Sequence, residues 1–391
     1  MNLLFMPYLL MIALISSCIE LEISAPSFPD IAHQFCISDS RVGLIITYNL
    51  LGFSLASIAY GPLSECFGRR RIMIFGNGIL TLGAIACVIA PSIAWLLAAR
   101  FIQGIGAATS AVVVSAIIAD VYKPDIAAKL YGIMNAVFST FMALAPVLGD
   151  FISNALGWRG NYGIVALICV ISWLLLLSFL PETKLERAPI NFKKILSDYK
   201  TLLSNSKFLS AATVPSLIYG CYMTFVAIAP FLYMQTFKLD ILSYTFHQGA
   251  IVGVFALTSV FSSKISNVLG IRKSISIALG CCLIGSGLML AVPSPYYLTI
   301  FMSLFCIGSA ILYPIIFSCS FEIFPGIKGT ASSAIMSSRY FLCSGLTGLG
   351  NYFYDGTAFK LGIVIFLTTV IIAWLAKATD PCKSMAQDTV M

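Results

Sequence analysis

Long apolar runs, broken by short polar or charged segments, make up most of the chain. They fall near residues 4–27, 42–63, 72–90, 94–119, 129–153, 160–181, 208–233, 246–266, 273–291, 296–320, 329–350 and 358–378. A helix needs about 20 apolar residues to cross the hydrocarbon core of a bilayer, and each run is near that length. A membrane barrel would instead show strands of about ten residues with alternating polarity. Unbroken runs such as Ile164 to Leu180 do not alternate. The pattern therefore predicts an all-α integral membrane protein with twelve transmembrane helices.

The longest polar stretch, 182–207, falls near the middle and carries Lys184, Arg187, Lys193, Lys194, Lys200 and Lys207. It divides the chain into an N-terminal six-helix bundle (1–181), a linker (182–207), a C-terminal six-helix bundle (208–378) and a polar tail (379–391). The first run lacks a basic leader and continues too far for a signal peptide, so it is expected to be a retained span.

Composition sharpens this picture. Of 391 residues, 59% are hydrophobic and 10% are charged, against about 25% charged in a typical soluble domain. Too few polar residues remain to cover a soluble globule, which argues against a soluble enzyme or a nucleic-acid-binding module. The formal charge of +7 reflects topology. With the N-terminus cytoplasmic, seventeen Lys and Arg fall on the cytoplasmic side, and four (Arg41, Arg159, Lys238, Lys360) fall opposite. That bias sets orientation and predicts cytoplasmic termini in a bacterial inner membrane. Most of the twelve cysteines lie within apolar runs, as small buried side chains do, and none shows metal-ligand spacing. No phosphate-binding loop is present, and no catalytic cluster stands out. We therefore expect no metal, no cofactor and no enzymatic activity.

A faint internal repeat links the halves. Gly68 precedes Arg69, Arg70 and Arg71; Gly270 precedes Ile271, Arg272 and Lys273; the two glycines stand 202 residues apart. Paired bundles of this kind are a known transporter construction.

Several segments carry more specific patterns: the loop Gly61-Pro-Leu-Ser-Glu65-Cys66-Phe-Gly68-Arg69-Arg70-Arg71; Arg100-Phe-Ile-Gln103-Gly104-Ile-Gly106 in the fourth run; and Ala145-Pro146-Val-Leu-Gly149 in the fifth. Trp158-Arg159, Pro181-Glu182-Thr183, Pro314 and Gly329-Thr-Ala-Ser332 add to them. Together they resemble the major facilitator superfamily, and more narrowly its Bcr/CflA-type drug:proton antiporters, over nearly the whole chain. The resemblance implies that Gly61, Glu65, Gly68, Arg69 and Arg70 form a cytoplasmic gate loop, and that Pro146 and Gly149 belong to the antiporter helix. The chain departs from the family pattern at Glu65 (usually Asp), Cys66 (usually Arg) and Asp150 (usually Gly).

Arg100 carries the most information. An arginine at helix centre costs roughly 2.5–3.5 kcal/mol on insertion scales, so it should face a carboxylate or a cavity. Gln103 shares its helix face, and Gly104 and Gly106 permit close helix approach. Two acids lie in the first run. Glu20 and Glu22 are about 200° apart around a helix and cannot share one face. Aligning Pro26 and Pro29 with the family pattern puts Glu22 at the family's acidic position and leaves Glu20 at the membrane interface. Both prolines should bend or end the first helix. Tyr48, Asn49, Asn135, Tyr219, Tyr222, Phe225, Tyr233 and Arg339 are further cavity candidates, with Gln103, Asn135 and Tyr222 preferred.

The resulting expectation is a monomeric secondary transporter that exports small amphipathic molecules in exchange for protons, with Glu22 and Arg100 coupling the proton. Its partners would be a small-molecule substrate, protons and lipid, with no nucleic acid. Alternatives on the same fold are an exporter of a siderophore or endogenous metabolite, or a proton-symport importer.

Overall fold

The structure, a computed structural model, describes residues 5–122, 124–184, 192–292, 294–324 and 328–379. Every regular element among them is helical. In chain order these are α1 (Met6–Glu22), a 3₁₀ turn (Ala25–Ser27), α2 (Phe28–Phe35), α3 (Asp39–Phe67), α4 (Arg69–Val88), α5 (Ile93–Val121), α6 (Pro124–Leu156) and α7 (Trp158–Phe179). A linker helix α8 (Phe192–Leu203) follows. Then come α9 (Ser206–Pro230), a π-helical extension (Phe231–Thr236), α10 (Ile241–Leu269), α11 (Ile271–Leu288), α12 (Pro295–Glu322), α13 (Lys328–Phe353) and α14 (Ala358–Thr379).

Ten segments among the described residues are long and apolar enough to cross a membrane. The 33-residue α6 and 26-residue α13 complete the twelve. The first helix breaks where its prolines lie, α1 ending at Glu22 just before Pro26. The chain passes Pro26 in the 3₁₀ turn and resumes as α2 with Pro29 in its first turn, where the missing N–H costs nothing. Met6–Phe35 is thus one bent crossing. The linker is also not simply a loop, since it contains α8, whose Tyr199 hydroxyl donates to the Ile58 carbonyl at 3.2 Å.

The repeat has a structural counterpart. The α3–α4 and α10–α11 junctions both turn at glycine, Gly68 (φ 97°, ψ 150°) and Gly270 (φ 79°, ψ 152°), a backbone region that side chains rarely enter. The same 202-residue offset relates two helix crossings. Gly83 and Gly106 pack against the backbones of Gln103 and Leu80 where α4 meets α5. Gly285 and Gly308 pack against the backbones of Phe305 and Cys282 where α11 meets α12. Small residues let helices approach where lipid supplies no hydrophobic drive between them. The chemistry differs at these matched places, since Met302 stands at the offset position of Arg100.

The two bundles meet along α3 and α13, which run antiparallel. From one end to the other, Gly43 meets Asn351, the Thr47 carbonyl accepts from Ser344 Oγ at 3.0 Å, the Ser337 carbonyl accepts from Ser54 Oγ at 2.9 Å, and Gly61 meets Ser333. At the end away from the linker, Phe28 stacks on Phe231 at 6.4 Å and Gln235 Nε2 donates to Asp39 Oδ1 at 3.4 Å.

Candidate functional site

Arg100 is completely buried and its Nη1 serves several acceptors. It is ion-paired with the Glu20 carboxylate and donates to the Glu20 carbonyl at 3.0 Å and to Gln103 Oε1 at 2.8 Å. Asn49 Nδ2 donates to both Glu20 carboxylate oxygens at 3.1 Å and to the Arg100 carbonyl at 3.2 Å. The Tyr162 ring lies 5.9 Å from the guanidinium carbon. This cluster ties α1, α3, α5 and α7 within the first bundle. Glu20 is 1% exposed, so the interfacial position expected for it is corrected. It lies inside the bundle because it neutralises an arginine that has no route to water. Arg100 Nε and Nη2 and Gln103 Nε2 are buried without hydrogen-bond partners.

Glu22 points elsewhere. It is 0% exposed, and among the described residues no Lys or Arg forms an ion pair with it. Its partner is the Tyr222 hydroxyl of α9, 3.3 Å from each carboxylate oxygen. Gln248 Nε2 of α10 donates to that hydroxyl at 3.4 Å. The structure thus brings Glu22 together with Tyr222 across the seam between bundles, and does not bring it to Arg100. The 200° separation of the two glutamates sends one acid into the first bundle and the other toward the second.

Arg339 of α13 is also buried, at 8% exposed. Its guanidinium carbon lies 5.1 Å from the Tyr313 ring and 4.9 Å from the Phe317 ring of α12. Among the described residues no carboxylate pairs with it, and its Nε and Nη2 are without hydrogen-bond partners. Cation–π contacts are worth about 0.5–2 kcal/mol each, so they offset part of the burial cost but leave the charge uncompensated. Next to it, Tyr340 contacts Phe53 of α3 at 3.7 Å and Tyr219 of α9 at 5.9 Å.

At the linker end, Arg69 Nε pairs with Asp120 Oδ2 at 2.9 Å, its Nη1 donates to Ser64 Oγ, and its backbone N–H donates to Glu182 Oε1 at 2.8 Å. Glu182 thereby caps α4, where a carboxylate also suits the helix dipole, and its carboxylate lies against Gly68. Arg70 donates to the Leu180 and Leu177 carbonyls at 2.7 and 2.9 Å. Glu65 is exposed and in no ion pair among the described residues. The acids that engage this loop are therefore Asp120 and Glu182, neither singled out as a gate residue from sequence.

In α6 the helix continues through Pro146, and Gly149 packs directly on the Ile23 carbonyl of the bent first span. Asp150 is 2% exposed and accepts from Asn154 Nδ2 at 2.9 Å. Asn135 lies outside the residues whose side chains are described.

A family model described as Major Facilitator Superfamily matches residues 10–348. The chain is 25% identical to the chloramphenicol resistance protein CraA of Acinetobacter baumannii, over 94% of this chain and 90% of that protein. It is 27% identical to the multidrug resistance protein MdtL of Escherichia coli, over 88% and 90%. Among solved structures it is similar to a D-xylose–proton symporter, with TM-score 0.75 and 14% identity over 95% of this chain and 97% of that one. It is also similar to the human organic anion transporter MFSD10, with TM-score 0.64 and 19% identity over 94% and 98%. These structural likenesses concern the fold.

Proposed function

Because the chain belongs to the Major Facilitator Superfamily of membrane transporters, we propose that it is a proton-coupled exporter of small amphipathic compounds, acting by alternating access in a bacterial inner membrane with both termini cytoplasmic. The observation that carries this reading is Glu22, a fully buried carboxyl with no ion-pair partner among the described residues, hydrogen-bonded across the bundle seam to Tyr222. The names of the relatives CraA and MdtL support export of drug-like molecules. The Lys and Arg placement supports the orientation.

An ionised carboxyl only accepts hydrogen bonds, whereas a protonated one also donates. Proton binding at Glu22 therefore removes a charge from the seam and changes the bond that joins the bundles there. The Glu20–Arg100 pair keeps the first bundle rigid while the seam opens and closes. Substrate leaves on the outside as the proton binds, and the proton leaves on the inside as substrate is taken up. A proton moving down one pH unit yields about 1.4 kcal/mol and across 100 mV about 2.3 kcal/mol. Together these sustain a substrate gradient of roughly several hundredfold.

The test is uptake of amphipathic dyes into energised everted vesicles. Uptake that collapses with an uncoupler and is lost in Glu22→Gln supports the proposal; uptake indifferent to both contradicts it.

A further inference from the structure

We propose that Arg339 is an anion-binding residue, so that the transported molecule carries a carboxylate or similar acidic group held between α12 and α13. This deepens the exporter reading and rests on it for the direction of transport, though not for binding itself.

The inference starts from charge balance. Arg100 and Arg339, buried in α5 and α13, are treated differently. Arg100 has its own carboxylate, Glu20, plus the Glu20 carbonyl and Gln103 Oε1 as acceptors. Nε and Nη2 are without hydrogen-bond partners in both arginines; what sets Arg339 apart is that among the described residues no carboxylate balances its charge. A buried guanidinium with free donors is matched by a planar acid that accepts two parallel hydrogen bonds. Its surroundings suit an aromatic acid, since the Tyr313 and Phe317 rings, stacked on each other at 5.6 Å, form the wall beneath the guanidinium.

Access follows from the bundle seam. Tyr340, the neighbour of Arg339 in sequence, is covered by Phe53 of the opposite bundle. Parting of α3 from α13 lifts Phe53 away and uncovers the Tyr219–Tyr340 pair beside Arg339. The ligand's acid group would then meet Arg339 while Glu22, on the first bundle, remains free to take the proton.

The experiment uses the purified full-length chain in detergent, with binding read as saturable thermal stabilisation. The probes are benzoate and naphthoate, the neutral amides of both, and benzylamine. We expect the carboxylates, and not the amides or the amine, to stabilise the wild type. Arg339→Lys should keep weakened binding, Arg339→Gln should lose roughly thirtyfold or more in affinity, and Glu65→Gln, a change at an exposed residue, should bind like wild type. Unliganded melting and size-exclusion profiles show whether each variant is folded; should Arg339→Gln fail to fold, Tyr313→Ala and the Lys variant supply the comparison. Carboxylate binding unchanged in Arg339→Gln, or a wild type stabilised equally by amides, by the amine, or by no carboxylate, overturns the proposal. Carboxylate binding by a wild type that shows no proton-driven dye uptake in everted vesicles overturns the exporter reading alone, whereas proton-driven uptake without carboxylate binding overturns this proposal alone.

Discussion

Tyr222 of α9 holds the Glu22 carboxylate of α1 from the opposite bundle, its hydroxyl 3.3 Å from both oxygens. This places a titratable group of one bundle and its partner of the other in direct contact. An ordinary hydrogen bond contributes about 0.5–1.5 kcal/mol. Tyr222→Phe should therefore shift the open–closed balance of the seam by roughly two- to tenfold. Distance distributions between spin labels on the loops after α3 and α10 check this, and an unchanged distribution contradicts it.

Arg100 and Glu20 should behave as a unit. Removing one member of a buried pair costs about 3–5 kcal/mol, because the other is left charged and alone. Arg100→Ala and Glu20→Ala should each lower the melting temperature strongly, and the double variant should melt well above the sum of the two losses. Additive losses would show that the two side chains do not depend on each other.

The fold was legible because lipid demands long apolar helices, and all twelve runs lie on helices, although the first crossing continues to Phe35, past the expected end at 27. The repeat was legible in Gly68 and Gly270, since both junctions need a positive φ. What the sequence could not show was helix rotation. Two glutamates 200° apart must face different ways, but only packing decides that Glu20 meets Arg100 and Glu22 meets Tyr222. The bend at Pro26 and Pro29 was legible, but not that the chain resumes beyond it as α2, because a proline in a helix's first turn suits a helix start. Asp120 was missed, and Glu182 was noted only within Pro181-Glu182-Thr183, because acids at span ends look like ordinary loop charges; their contacts with Arg69 require α4, α5 and the segment after α7 to converge.

The linker-end loop gives a graded prediction. The Arg69–Asp120 pair is partly exposed, and such pairs contribute about 0.2–1 kcal/mol. Asp120→Asn should change the transport rate by less than about fivefold, Glu182→Gln should add to that loss, and Glu65→Gln should leave the rate unchanged. Rates in everted vesicles decide the ranking, and a Glu65→Gln loss larger than that of Asp120→Asn would reverse it.

Glycine positions separate packing from tolerance. A methyl on Gly149 would run into the Ile23 carbonyl, and one on Gly104 into the Asn49 carbonyl, whereas one on Gly345 meets nothing within 4 Å. Overpacking costs about 1–3 kcal/mol. Gly149→Ala and Gly104→Ala should reduce folded yield or transport, and Gly345→Ala should do neither. Equal yields and rates for all three would contradict the close helix approach.

The central claim is that Glu22 carries the coupling proton. The direct measurement is concentrative uptake of a transported dye into proteoliposomes with an acidic interior, alongside dye exchange at equal pH. The account predicts that wild type concentrates the dye until nigericin collapses the gradient, and that Glu22→Gln exchanges dye at a similar rate without concentrating it. Concentrative uptake by Glu22→Gln at the wild-type level would contradict it.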